Sequence, residues 1–237
     1  MEQEITNRLA RSKNLPFPTI YVEAIQGEYS EWALDVEKCV GHRGKWRTDE
    51  FQHIDCDENS VEDMPLDLEI GTGNGYFFAH RAETEPGRLL LGMEVKYKPL
   101  IQTIRRALKT GARNAKILRY HATDIHHLFG PEELNNVYIH HPDPWPRRKQ
   151  NKNRLINTEF LNSLYSMQKK QGYLEFKTDH LDYFEWALDF FKKSEYNIVG
   201  HTFDLHNSEF ASKNFVTHFE KIFLQKGQPI YYALLQK

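Results

Sequence analysis

From Pro65 onward the chain alternates short apolar runs with longer segments whose apolar residues recur near helical spacing, which restricts the fold more than any other feature. Leu66–Ile70, Leu89–Val95, Lys116–Tyr120, Val137–His141 and Tyr173–Thr178 read as strands, while Tyr76–Glu85, Leu100–Thr110, Thr158–Lys169 and Leu181–Lys193 read as helices. Strands that alternate with helices run parallel, because the helix is the crossover returning the chain to the same end of the sheet. Two more strands, near Asn197–Asp204 and Pro229–Gln236, follow without a long helix between them and predict an antiparallel edge. The pattern therefore predicts an α/β fold: a doubly wound, mainly parallel, seven-stranded sheet with an antiparallel C-terminal edge. The aromatic-rich helix carrying Tyr183, Phe184, Trp186, Phe190 and Phe191 is assigned to the core.

Residues 1–64 are polar, contain Pro16 and Pro18, and suggest a short helix near Glu28–Lys38. They read as an N-terminal arm or small subdomain ahead of the main domain at 65–237, and 237 residues suffice for a sizeable core. Cys39 and Cys56 form neither a disulfide framework nor a metal-type spacing, which fits a reducing compartment. The N-terminus has no apolar core of the signal-peptide kind and no segment reaches membrane-spanning length, so a cytoplasmic protein without membrane association is expected. The net charge of −2 excludes a generally basic nucleic-acid coat, yet the charge is segregated. Val95–Thr123 carries Lys and Arg but no acid, and Thr48–Glu69 carries acids but no Lys or Arg.

Glu69-Ile-Gly71-Thr-Gly73-Asn-Gly75 lies where the first strand of the main domain meets its first helix. Glycines there let the backbone approach a ligand, and the helix start offers free N–H groups. A dinucleotide fingerprint requires another glycine where Tyr76 stands, so the loop better suits a cofactor without pyrophosphate, S-adenosylmethionine being the candidate. Glu94, at the end of the second strand, is positioned to accept the ribose hydroxyls of an adenosine.

After the fourth strand comes His140-His-Pro-Asp143-Pro-Trp145-Pro, then Arg147, Arg148, Lys149, Lys152 and Arg154 with no intervening acid. Prolines fix their own φ and disfavour helix in the residue before them, so the backbone around Asp143 is expected to be stiff and extended. A held carboxylate, a flat aromatic and a cationic apron suit a base within a polyanion: Trp145 stacks on the base or excludes water, and the cations hold phosphates. Methyl transfer to a ring nitrogen removes no proton and makes the base cationic. Asp143 is then expected to orient the base and offset the gained charge rather than act as a general base. The pairs His126-His127 and His140-His141 lack metal-site context, and no metal is expected.

These residues resemble the bacterial tRNA (guanine-N7)-methyltransferases from about Gly44 to the C-terminus. The match runs through Gly44-Lys-Trp46, the glycine loop, Gly92-Met-Glu94-Val95, the Pro-Asp-Pro-Trp-Pro string with its basic tail and Lys177-Thr-Asp179. It continues through Asp204-Leu-His-Asn-Ser208, Thr217-His-Phe-Glu220 and Gly227-Gln-Pro-Ile-Tyr231. The resemblance implies a Rossmann-like methyltransferase domain at 65–237 and methyl transfer from S-adenosylmethionine to N7 of a guanosine in the tRNA variable loop. It implies cofactor contacts at Glu69, Gly71, Gly73, Gly75, Glu94, His121 and Ala122, with Asp143 catalytic. Substrate contacts are implied at Arg147, Asp179, Thr217, His218, Phe219 and Glu220, in addition to Trp145, Arg148, Lys152 and Arg154 read from the string and its basic tail. His121 stands where the family commonly has an acid that holds the adenine, with Asp124 close by as a substitute, and Arg147 stands where the family usually has lysine. The basic tail is interrupted by Gln150, Asn151 and Asn153. Two other readings are a nucleic-acid exocyclic-amine methyltransferase and a non-catalytic tRNA-binding protein on the same fold. The partner expected is tRNA, with no obligate protein partner evident.

Overall fold

The computed structural model describes residues 19–54 and 60–237; Pro16, Pro18, Cys56 and part of the acidic stretch lie outside them. The strands are β1 (Ala33–Leu34), β2 (Leu66–Ile70), β3 (Leu89–Met93), β4 (Ala115–Leu118), β5 (Val137–His140), β6 (Tyr173–Thr178), β7 (Asn197–Thr202) and β8 (Tyr231–Gln236). The helices are α1 (Thr19–Gln26), α2 (Val36–Cys39), α3 (Trp46–Glu50), α4 (Tyr76–Thr84), α5 (Tyr97–Lys109), α6 (Thr158–Met167), α7 (Leu181–Phe191) and α8 (His218–Gln225). The eight strands among the described residues form one sheet in the order β1-β4-β3-β2-β5-β6-β8-β7, parallel except where β8 pairs with β6 and β7. Strand order reverses between β2 and β5, so the crevice at their carboxyl ends is where a doubly wound sheet binds ligands.

The expected alternation and antiparallel edge are present, with one strand more than the seven expected. The addition is β1, whose two residues extend the sheet beside β4 with Ala33 opposite Ile117 and Leu34 opposite Leu118. Instead of a helix at Glu28–Lys38, turns lead from α1 into β1 and the short α2, which Asp35 caps by accepting from Lys38 N at 3.1 Å. Residues 33–54 join the core through Trp46 and Phe51, both fully buried, and Trp46 Nε1 donates to Leu128 O at 2.8 Å. Between β7 and β8 lies α8, capped by Thr217 Oγ1, which accepts from Glu220 N at 3.2 Å.

β2 is buried on both faces, although its sequence alternates apolar and acidic residues. Leu66, Leu68 and Ile70 enter the main core, while Asp67 on the opposite face accepts from Arg81 Nη2 at 2.6 Å and from Arg88 Nη2 and Nε at 2.7 Å. Asn136 N adds a fourth donor at 2.9 Å, so the buried charge is paired and hydrogen-bonded, the condition under which it is tolerated. This cluster fixes α4 against the centre of the sheet, directly after the glycine loop.

Candidate active site

The carboxyl ends of β2, β3, β4 and β5 open into one cavity of about 470 Å³, within the size range of small-molecule sites. The glycine loop forms one wall. Gly71, Gly73 and Gly75 have φ of 79°, 53° and 75°, a region only glycine enters without strain. An added Cβ at Gly71 or Gly73 would meet open space, whereas one at Gly75 would stand 2.5 Å from Thr103 Cα. The buried Thr103 braces the loop from α5: its hydroxyl lies 3.0 Å from the carbonyls of Gly73 and Pro99, and 3.1 Å from Thr72 Oγ1. Arg106 lies 3.7 Å over the Tyr76 ring and donates from Nε to Asn74 O at 3.1 Å.

Two acids face this loop. Glu94 accepts from Gly73 N at 3.1 Å and Lys96 N at 2.9 Å; burial raises its pKa, and these amides draw it partly back. Glu69 is buried with Oε2 unpartnered, and burial pushes its pKa up to about 8 against the pull of Arg81 and Lys177. An unpartnered buried acceptor and two open glycine positions make a cradle that suits a ligand with N–H donors. His121 and Ala122 line the cavity at the end of β4, whereas Asp124 is buried and does not line it. The cofactor-side residues expected from sequence thus converge on one space, which fits the adenosine and amino-acid parts of S-adenosylmethionine.

Asp143 and Trp145 line the same cavity. Their backbone departs from the extended path expected: His141 and Trp145, each directly before a proline, have φ of 50° and 46°. Non-glycine residues in this region carry strain, and the following proline adds to it. Backbone anchors hold the loop, with His141 N donating to Lys177 O at 2.8 Å and Arg154 Nε donating to Pro144 O at 2.9 Å. Arg154 is therefore not an outward phosphate ligand in this structure. It is 5% exposed, with its guanidinium 5.1 and 5.2 Å from the Tyr183 and Trp186 ring centroids. Arg147, Arg148, Lys149 and Lys152 are exposed, the last three on a 3₁₀ turn over Arg148–Asn153 that Arg147 precedes.

Beneath Asp143 lies a buried polar network absent from the sequence reading. Lys177, 1% exposed, hydrogen-bonds Asn214 Oδ1 and sits 3.5 Å from Glu175 Oε1 and 3.6 Å from Glu220 Oε1. His140 Nε2 meets Glu175 Oε1 at 2.8 Å. Burial lowers the His140 pKa to about 4, while the His140 bond and Lys177 overcome burial to bring Glu175 down to about 2. His141 Nδ1 meets Asp179 Oδ1 at 3.3 Å, and its Nε2 lies 3.9 Å from Glu220 Oε1. Burial disfavours the His141 cation, but these two carboxylates outweigh it and raise the pKa. Asp179 and Glu220 are correspondingly lowered against their own burial.

Of the substrate-side residues expected from sequence, Thr217, Phe219 and Trp145 line the cavity. Asp179 stands beside it, bonded to His141, and Glu220 is fully buried on Lys177, His141 and His206 (Nε2–Oε2 3.4 Å) rather than facing the cavity. The side chain of His218 lies outside the described residues. Sequence reasoning missed Thr103, Asn153 and the network around Lys177. An acid and a lysine on alternate positions of a buried strand, Glu175 and Lys177, were the available signal for the last.

The family model described as "Putative methyltransferase" matches residues 63–233. A tRNA (guanine-N(7)-)-methyltransferase of Bdellovibrio bacteriovorus is 50% identical over 90% of this chain and 99% of its own length. One from Bacillus subtilis is 32% identical over 84% of this chain and 89% of its own. Among solved structures, a SAM dependent methyltransferase from Aquifex aeolicus has a similar fold, with a TM-score of 0.50 at 10% identity over 72% of this chain and 81% of its own.

Proposed function

The chain belongs to the tRNA (guanine-N7)-methyltransferase family, and from that premise we propose that it methylates N7 of a guanosine in the tRNA variable loop, with Asp143 as its catalytic carboxylate. The observation that carries the reading is that the glycine loop and Asp143 line one cavity at the switch point of the sheet. S-adenosylmethionine, when bound, supplies an electrophilic sulfonium methyl. Glu94 accepts the ribose hydroxyls, His121 and Ala122 border the adenine, and the open faces of Gly71 and Gly73 admit the rest of the donor.

Trp145 stacks on the guanine or walls out water, and Asp143 orients the base. N7 has a lone pair and loses no proton on alkylation, so no general base is needed. The carboxylate instead offsets the positive charge that the ring gains, in a site partly removed from water. Asp179, with Thr217 and Phe219, borders the guanosine, and the exposed Arg147, Arg148 and Lys152 hold phosphates, positioning the RNA without reading its sequence. This reading also assigns the protein to the cytoplasm, where its substrate is found.

The test is incubation of the purified protein with S-adenosylmethionine and tRNA from a strain lacking it, followed by mass-spectrometric mapping of methylated nucleosides. N7-methylguanosine in the variable loop is expected. Its absence, or methyl groups on exocyclic amines, would overturn the assignment.

A further inference from the structure

His140 is a buried histidine that the proposed reaction does not use, and it is built like half of a binding site. Glu69 on β2 pairs with Tyr138 on β5, so Glu69, Tyr138 and His140 share one face of the sheet. His140 is 9% exposed and lines the cavity, as does Glu69. Phe77 packs against the imidazole with ring centroids 4.6 Å apart, and Tyr138 meets it edge-on at 6.1 Å.

The Glu175 carboxylate, 2.8 Å from Nε2, can only accept, so the neutral ring carries its proton on Nε2 and presents a lone pair at Nδ1. That Nδ1 is buried without a partner, and so is Glu69 Oε2. Buried acceptors without donors are rare and costly. Two on one face of adjacent strands, both lining one cavity, call for a ligand group with several N–H donors. A primary ammonium has three, and its charge would draw the Glu69 carboxyl from the protonated form that burial favours to the carboxylate, in which both oxygens accept. A guanine edge fits less well, because its partner Asp143 is exposed whereas these acceptors are buried.

We propose that His140 Nδ1, oriented by Glu175, is an acceptor for the α-ammonium of the methyl donor and shares that group with Glu69. The inference rests on the reading that this cavity takes S-adenosylmethionine. It makes His140–Glu175 a determinant of affinity for the amino-acid half of the donor, separate from the adenosine half held by Glu94 and His121.

Calorimetric titration of S-adenosylmethionine, S-adenosylhomocysteine and 5′-methylthioadenosine into wild type, His140→Phe and His140→Asn tests it; the last ligand lacks the amino-acid group. Both substitutions remove the partner of Glu175 and share any structural loss. Only asparagine keeps an acceptor where Nδ1 stands. His140→Phe should weaken both amino-acid-bearing ligands about tenfold or more while leaving methylthioadenosine unchanged, and His140→Asn should restore most of the loss. Equal weakening of all three ligands, unchanged affinity in His140→Phe, or asparagine no better than phenylalanine would overturn the proposal. A folded wild-type protein that bound none of the three would instead overturn the cofactor reading.

Discussion

Replacing Arg154 by alanine should disable the Asp143 loop without weakening the electrostatic grip on tRNA. The charge-assisted bond from Nε to Pro144 O, at 2.9 Å, contributes about 1.5–3 kcal/mol. Stacking on Tyr183 and Trp186 adds about 0.5–2 kcal/mol, and the 3.4 Å approach of Nη1 to Asp182 O is too long to add much. The loss of roughly 2–5 kcal/mol matches the strain of about 1–3 kcal/mol carried by each left-handed residue, His141 and Trp145. Without its anchor the loop relaxes, and the conformer that aims Asp143 into the cavity becomes a minor one. At about 1.4 kcal/mol per decade, the single-turnover rate should fall about thirtyfold to a few thousandfold. Arg154→Lys keeps the charge but lacks the planar fork, and should recover only part of the rate. The assay is single-turnover methylation, run beside tRNA binding over a salt series. An anchor leaves the slope of log affinity against log salt unchanged, whereas a phosphate ligand lowers it by about one. A lowered slope with retained turnover would refute the anchoring role and restore Arg154 to the phosphate-binding set.

Arg147→Ala, Arg148→Ala and Lys152→Ala, all at exposed positions, should each lower that salt slope by about one and leave cofactor affinity unchanged; an unchanged slope would make them plain surface. Glu69→Gln should raise the stability of the ligand-free protein near pH 8 while weakening cofactor binding. The folded-state pKa of about 8 lies above the ordinary 4.5, so the folded state binds more protons between these values and this group's contribution falls as pH rises through the window. Thermal melts from pH 5 to 8 should therefore decline less steeply for the variant than for wild type, and parallel curves would contradict the burial argument. Glu220→Ala should cost about 3–5 kcal/mol in urea denaturation, because it leaves the buried Lys177 short of a partner; full stability with lost tRNA affinity would make Glu220 a substrate contact instead. Gly92→Ala should cost about 1–3 kcal/mol and weaken cofactor binding, since its Cβ would stand 2.5 Å from Ile117 Cδ1 and 2.7 Å from Thr72 Cγ2 in the glycine loop.

The strands from β2 onward were readable because each is an apolar run ended by a turn or by a change to helical spacing. β1 was not, since two residues show no period and only pairing with β4 makes Ala33 and Leu34 a strand. The glycine loop, Glu94 and Asp143 were readable as a site because their positions at strand ends fix where they converge. The cationic tail was read as one feature, yet it divides into exposed Arg147, Arg148, Lys149 and Lys152 and the buried Arg154. Arginine at either place is the same letter. What separates them is tertiary: the chain turns after Asn153 and brings Arg154 beneath Pro144, between α7 aromatics. Glu220 shows the same limit. Thr217 and Glu220 have the spacing of a helix cap, and Thr217 does cap α8, but only packing onto β6 turns the Glu220 carboxylate inward to Lys177.

The anchors of the Asp143 loop suggest why its rigidity is not left to the prolines. An ionised carboxylate that is to offset charge on a base should not already be neutralised by a protein cation or amide. Around it, Asp179 is bonded to His141, Glu175 to His140, and Glu220 lies among Lys177, His141 and His206. Those carboxylates hold structure. Asp143 makes no hydrogen bond or ion pair among the described residues, and it is exposed at the cavity wall. The loop is fixed through main-chain groups, His141 N on Lys177 O and Pro144 O on Arg154 Nε, together with the His141 ring on Asp179. The strain at His141 and Trp145 is sustained by those contacts, and the carboxylate between them keeps its full capacity for a ligand.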